Sequence, residues 1–136
     1  IGSNDLTQYL LAVDRNNTRV ADLYSAYHPS VLRAVRYVVN EVHRVGKTVS
    51  ICGEMAGDPG TAILLMAMGF DSLSMSASNL LKVRKTICHT PLSEAKLLLD
   101  EVLAYDNPVQ IRATVEAKLT ALGLIDLIRP QGARAS

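Results

Sequence analysis

The chain has 136 residues, enough for one domain with a sizeable buried core; 49% of them are hydrophobic and 20% are charged. A net charge of +1 and six aromatic residues (five Tyr, one Phe) argue against a nucleic-acid or membrane surface as the main partner. Cys52 and Cys88 lack the spacing of a zinc site or a disulfide framework. Free thiols suit a reducing compartment, so we expect a cytoplasmic protein.

The first residues carry the end of a strand and the start of a helix. Ile1 is typical of a strand end, and we expect residues 2–5 to form a turn that leads into a short helix at Leu6. Pro29 marks the start of a longer helix, which Gly46 ends in a left-handed conformation. Apolar residues recur along it at helical spacing: Val31, Leu32, Val35, Val38, Val39 and Val42.

The rest of the chain alternates strands and helices and then becomes helical. The predicted elements are a strand at 48–51, a helix at 60–68, a strand at 72–76, a helix at 79–87, and helices at 92–105 and 109–122. This order predicts parallel strands joined by right-handed crossovers. Two architectures fit it: a complete but minimal open sandwich, or the closing part of a larger barrel. Because the chain opens without an initiator methionine, we expect a piece of a longer protein.

The stretch from Thr48 to Pro59 is the strongest candidate for a functional site. A short strand delivers Cys52 to the rim of the sheet, where sites of parallel α/β proteins lie. No histidine or cation that would activate a nucleophile is adjacent in sequence, whereas Glu54 and Asp58 favour a protonated thiol. A protonated thiol suits a proton donor. A buried structural cysteine is an equally weighted alternative.

Polar groups near the amino end of the chain could bind an anion and a cation. Asn4 and Asp5 combine an amide with a carboxylate, the latter a ligand that Mg²⁺ prefers, although residue types alone favour a helix cap. Arg15 carries a guanidinium that can bind phosphate through two hydrogen bonds. The alternative, which base rates favour, is a surface ion pair with Asp14 or Asp22.

Four motifs in order resemble one enzyme family. They are Gly2-Ser3-Asn4-Asp5-Leu6-Thr7-Gln8-Tyr9, Ala12-Val13-Asp14-Arg15, Cys52-Gly53-Glu54-Met55-Ala56-Gly57-Asp58-Pro59 and Leu73-Ser74-Met75-Ser76. The stretch is similar to the end of the phosphoenolpyruvate (PEP)-binding domain of PEP–protein phosphotransferases, the Enzyme I family of the bacterial phosphotransferase system. Residues 16–21 and the His28-Pro29 pair look closer to the nitrogen-related paralogue. Pyruvate phosphate dikinase and PEP synthase share the domain and are the alternative, although their cysteine loop usually differs.

The resemblance implies an α/β fold, the carboxy-terminal portion of a (β/α)₈ TIM barrel. Residues 1–90 would supply about the last three strands and their helices. Residues 91–128 would form a helical extension that packs on the barrel, and residues 129–136 a flexible tail.

The resemblance also implies roles for four residues. Asp5 would ligate Mg²⁺, Asn4 and Arg15 would contact the phosphoryl group of PEP, and Cys52 would protonate the enolate carbon as pyruvate forms. The phosphorylated histidine, which passes its phosphate to an HPr-like carrier protein, and the second acidic Mg²⁺ ligand belong to regions absent here. We therefore expect the chain alone to be inactive.

The resemblance also implies a homodimer that is joined through this domain. A rival hypothesis from another class is therefore a non-catalytic dimerisation fragment.

Overall fold

A computed structural model describes residues 1–128, which form helices around a small parallel sheet. The elements are α1 (Ser3–Leu11), α2 (Pro29–Arg44), β1 (Ser50–Cys52), α3 (Glu54–Gly57), α4 (Pro59–Met68), β2 (Ser72–Ser74), α5 (Ala77–Cys88), α6 (Leu92–Leu103) and α7 (Pro108–Ala121). Short 3₁₀ turns lie at Ala21–Leu23 and Ile125–Leu127. The tail predicted at 129–136 lies outside the described residues.

The sheet is parallel, as the alternation of strands and helices predicts. Strand β1 pairs with β2, and Cys52 lies opposite Ser74. The first residues of the chain extend this sheet, because Gly2 forms a parallel bridge with Cys52 and the Cys52 N–H donates to the Ile1 carbonyl at 2.9 Å. Three parallel segments therefore lie side by side in chain order. The α/β class is confirmed, whereas the barrel stays a prediction.

Helix α4 forms the centre of the hydrophobic core. Almost every residue from Pro59 to Met68 is buried, and the helix contacts α3, α5, α6 and α7. A helix that is apolar all round is stable only when protein covers it on every side. Gly69 ends α4 with a φ of 94°, a left-handed conformation that glycine adopts at no steric cost.

Helix α2 buries the stripe that its sequence predicts. Its first turn contains Pro29, and the His28 ring nitrogen Nδ1 accepts the N–H of Ser30 at 3.2 Å. Gly46 follows the helix with a φ of 68°, as predicted. The fully buried members of the stripe are Val31, Leu32, Val35 and Val39.

The amino end of β1 is held by one carboxylate. Asp71 accepts the N–H of Val49 at 2.7 Å and lies 3.0 Å from Nε2 of His43 at the end of α2. The His43 and Val49 hydrogen bonds lower the pKa of Asp71. The Asp71 contacts therefore hold the amino end of β1, whereas Cys52 lies at its carboxyl end.

Helices α6 and α7 pack into the same core as α2 and α4. Their buried residues are Ala95, Leu98, Leu99, Val102, Ile111, Val115 and Leu119. Arg33 of α2 ties the α6–α7 connection by donating to Asp106 at 2.8 Å. Within residues 1–128, every helix is too short or too polar to cross a membrane.

The start of α1 differs from the prediction. The expected turn at residues 2–5 is wrong, because the helix begins at Ser3 and Gly2 occupies the N-cap position. Asn4 and Asp5 therefore lie in the first helical turn, and neither caps it with a side chain. The cap role that residue types favoured for them is also wrong.

Candidate functional site at the carboxyl ends of the strands

An open cleft of about 480 Å³ lies where the three parallel segments end. Parallel strands all end at the same edge of a sheet, so residues that follow each strand meet there. We call this site the cleft and define it by its lining residues: Asn4, Cys52, Gly53, Glu54, Ser74, Met75, Ser76 and Asn79.

The side-chain amide of Asn4 is oriented by the loop after β1. Its Oδ1 accepts the backbone N–H of Glu54 at 2.9 Å. This bond fixes which end of the amide faces the backbone, so the NH₂ group faces the Glu54 side chain. Its nitrogen Nδ2 donates to Oε1 of Glu54 at 3.4 Å. The Tyr24 hydroxyl donates to the backbone carbonyl oxygen of Asn4 at 3.4 Å and so holds the main chain at this residue. Asn4 therefore presents a fixed hydrogen-bond donor at the cleft.

The close approach between α1 and this loop requires a glycine at position 53. Gly53 has a φ of 100° and a ψ of −162°, a region that only glycine commonly occupies. A Cβ at this position would lie 2.5 Å from Oγ of Ser3 and 2.8 Å from Oδ1 of Asn4. Any side chain at position 53 would therefore collide with Asn4 and displace it.

Arg15 reaches the same acidic side chain as Asn4. Its guanidinium nitrogen Nη1 lies 3.6 Å from Oε1 of Glu54. The alternative prediction of a surface ion pair is therefore right in kind but wrong in its partners, because among the described residues Arg15 pairs with Glu54 and not with Asp14 or Asp22. One oxygen of Glu54 therefore lies near both groups that the sequence assigns to a phosphoryl group.

Tyr24 lies beside this group of charges. Partial burial raises the pKa of its phenol, the negative charge of Glu54 raises it further, and a hydrogen bond with Arg15 opposes both effects. The three side chains form one polar cluster with Asn4, next to the cleft.

Cys52 ends β1 with its thiol exposed to the cleft. The alternative of a buried structural cysteine is therefore wrong. The thiol Sγ lies 3.5 Å from the backbone carbonyl oxygen of Ile1, to which it can donate a hydrogen bond. Cys52 and Asn4 share the cleft, so the structure brings these two predicted residues together.

Asp58 does not lie beside the thiol as expected. Its Oδ2 accepts the N–H of Thr61 at 2.9 Å and the Tyr27 hydroxyl at 2.5 Å, so the carboxylate caps α4. Of the two acidic neighbours in sequence, Glu54 alone lines the cleft.

Asp5 is exposed in the first turn of α1 and does not line the cleft. A single exposed carboxylate fits one ligand position of Mg²⁺, a hard cation that takes oxygen ligands and retains several waters. It does not make a complete site, and residues 1–128 contain no group of three or more His, Cys, Asp or Glu side chains that could hold a metal ion.

Sequence reasoning missed part of the cleft. The sequence predicts Glu54 only as a neighbour of the thiol, and Asn79, Ser74 and Ser76 are not among the predicted site residues. Ser74 ends β2, and Glu54 and Ser76 each lie two residues beyond a strand end, so the rule that indicated Cys52 could also have found these three. Asn79 lies in the first turn of α5 and carries no such signal. Asn79 packs so closely on Gly57 that a Cβ there would lie 2.7 Å from its Nδ2.

Comparison with protein families assigns the chain. The family described as PEP-utilising enzyme, PEP-binding domain, matches residues 1–92. The chain belongs to this family. The match includes Asn4, Asp5, Arg15 and Cys52 and therefore covers the whole candidate site.

Curated relatives cover more of the chain. It is 46% identical over 89% of its length to a phosphoenolpyruvate-protein phosphotransferase of Listeria monocytogenes and 44% identical over 85% to one of Buchnera aphidicola. It is 40% identical over 95% of its length to a protein of Salmonella typhimurium named phosphoenolpyruvate-dependent phosphotransferase system. The chain spans only 21%, 20% and 17% of these three relatives, respectively.

Proposed function

We propose that this chain is the carboxy-terminal part of the PEP-binding domain of a PEP–protein phosphotransferase. Such an enzyme moves phosphate from PEP to one of its own histidines and then to an HPr-like carrier protein, releasing pyruvate. The names of the relatives support this activity over that of pyruvate phosphate dikinase or PEP synthase. The nitrogen-related paralogue, the homodimer and the cytoplasmic location stay predictions.

One observation carries the proposal most directly. The Asn4 amide and the Arg15 guanidinium converge on a single anionic oxygen, 3.4 Å and 3.6 Å away, beside the cleft onto which Cys52 opens. Two donors that meet at an anion can hold one end of a phosphoryl group, and a thiol nearby can reach the rest of a small substrate.

The proposed chemistry assigns each side chain a step. Arg15 and Asn4 bind the phosphoryl oxygens and stabilise the negative charge that moves as the bond between phosphorus and the enol oxygen breaks. The phosphoryl group passes to a histidine nitrogen. The electron pair of the broken bond between phosphorus and oxygen stays on the oxygen, which leaves the enolate of pyruvate. The Cys52 thiol gives its proton to the enolate carbon, which becomes the methyl group of pyruvate. Because Cys52 is exposed, solvent can return that proton.

In this proposal Asp5 would supply one ligand of Mg²⁺, and the other protein ligands would come from outside the described residues. When bound, the cation would neutralise charge on the phosphoryl oxygens. The barrel prediction is supported by the three parallel segments in chain order, the helices that connect them and the position of the cleft at their carboxyl ends.

The two exposed cysteines provide a matched test in the gene product that contains residues 1–136. Cys52→Ala should reduce steady pyruvate formation from PEP by at least about 10²-fold, because it removes the general acid. Cys88→Ala, at the end of α5 and away from the cleft, should leave the rate unchanged. Turnover by Cys52→Ala at the unmodified rate would contradict the proposal.

A further inference from the structure

Glu54 lies at the position that the proposed function reserves for the substrate. Its Oε1 receives the NH₂ of Asn4 and faces the guanidinium of Arg15. A carboxylate oxygen and a phosphoryl oxygen are both anionic acceptors, so both compete for the same two donors. We propose that Glu54 is an internal competing anion, whose carboxylate contacts both phosphoryl-binding donors and lowers the affinity for the phosphoryl group of the ligand.

The orientation of Asn4 does not depend on the carboxylate. Its Oδ1 is bound by the backbone N–H of Glu54 at 2.9 Å, a contact that any residue at position 54 can make. Removing the charge of Glu54 therefore leaves the NH₂ group in place. The backbone of Glu54 positions the site, while its side chain occupies it.

The contacts of the carboxylate are weak enough to be displaced. At 3.4 Å and 3.6 Å they are long, and the side chain of Glu54 is 65% exposed and that of Arg15 37% exposed. Water and salt screen such pairs strongly. An arriving phosphoryl group brings more charge and several acceptors, and it also repels the carboxylate, which can rotate into solvent.

This inference rests on the proposed function, and one experiment tests the two separately. The complete gene product is titrated calorimetrically with PEP and Mg²⁺, and with inorganic phosphate alone, using the unmodified protein, Glu54→Gln and Arg15→Ala. Glu41→Gln is the matched control, because it removes the same charge from an exposed ion pair with Arg44. Both residues lie in the last turns of α2, away from the cleft.

Glu54→Gln should bind both ligands about two- to fivefold more tightly at low ionic strength, the range expected for losing an exposed ion pair. High salt should shrink this difference, because it screens the competition. Glu41→Gln should bind as the unmodified protein does. In NMR spectra, addition of phosphate should shift the Asn4 side-chain NH₂ resonances in both the unmodified protein and Glu54→Gln.

Two results would overturn the inference. Equal or weaker binding by Glu54→Gln, while the unmodified protein binds and Arg15→Ala does not, would reject the competing anion alone. Failure of the unmodified protein and of every variant to bind PEP or phosphate would reject the proposed function, and the inference with it.

Discussion

The backbone conformation of Gly53 affects both the stability of the fold and the geometry of the candidate site. Gly53 joins β1 to α3 in a backbone region that costs other residues about 1–3 kcal/mol, and a Cβ there would collide with Ser3 and Asn4. Gly53→Ala should therefore lower the free energy of unfolding by at least that amount. It should also weaken PEP binding, because Asn4 must move. Urea unfolding and calorimetric titration of the variant measure the two effects.

Gly46→Ala tests the effect of a left-handed backbone conformation without a steric collision of the added Cβ. Gly46 also has a positive φ, 68°, but a Cβ there would have no neighbour within 4 Å. This variant should lose about 1–2 kcal/mol of stability through the left-handed conformation alone and should bind PEP normally. If both glycine variants bound PEP equally well, the close approach at Gly53 would not matter for the site.

Asp5 is the carboxylate of residues 1–128 that the proposed function assigns to Mg²⁺. Asp5→Asn removes the charge but keeps the size, so the gene product should need at least about tenfold more Mg²⁺ for half-maximal pyruvate formation. Asp126→Asn, an exposed control after α7, should leave the titration unchanged. An Asp5→Asn curve that overlays the unmodified one would count against metal ligation.

The first turn of α4 is stabilised by a polar contact with a residue that is distant in sequence. Tyr27 is 7% exposed, and its hydroxyl donates to the Asp58 carboxylate that caps the helix. Tyr27→Phe removes a hydrogen bond to a charged group, so we expect a loss of about 1.5–3 kcal/mol in the free energy of unfolding. Chemical denaturation followed by circular dichroism measures it. Tyr37→Phe, exposed on α2, is the control.

The same variant reports on alkaline stability. Burial, and next the negative charge of Asp58, raise the pKa of Tyr27 well above its usual value near 10. Above that pH the unfolded chain loses the Tyr27 proton while the folded chain retains it, so folding stability falls as the pH rises. The advantage of the unmodified protein over Tyr27→Phe should therefore shrink above about pH 10. A constant difference across this range would contradict the pKa shift.

Element boundaries show where sequence reasoning works and where it does not. Helix α2 begins at Pro29 as predicted, because proline and a strong apolar stripe mark it without ambiguity. Helix α1 begins at Ser3 rather than Leu6, because Ser, Asn and Asp are common both at the N-cap and in the first helical turn. The strand bridge at Gly2 determines which residue is the cap, and that pairing is not local in sequence.

The outer edge of β2 is the main open feature of the described molecule. Within residues 1–128 this strand pairs with β1 alone. Beside it lies a groove of about 370 Å³ with a mostly apolar lining that includes Phe70, Leu73, Leu80, Val83 and Ile87. An unpaired strand edge next to apolar surface favours pairing with another chain or with a missing neighbour.

The predicted homodimer can be tested on the isolated 136-residue chain. If the open edge pairs two copies, light scattering after size exclusion should give twice the 14.7 kDa mass of one chain. Leu80→Glu, a partly exposed residue of the groove, should shift the equilibrium to monomer, whereas Leu97→Glu on α6 should not. A monomer at high protein concentration would contradict pairing through this edge.

The sequence by itself determined most element types, the parallel order and, through the motifs that carry the family resemblance, four candidate residues. It did not predict α3, which lies in the stretch expected to be a loop after β1. The tertiary structure decided which side chains meet. It assigned Asp58 to the cap of α4, placed Glu54 between Asn4 and Arg15, and left Asp5 outside the cleft. The two Glu54 contacts join residues about 40 and 50 positions apart, which no local pattern encodes. The Asp58 cap is local, since it spans three residues, and an Asp before a proline is itself a signal for a helix start.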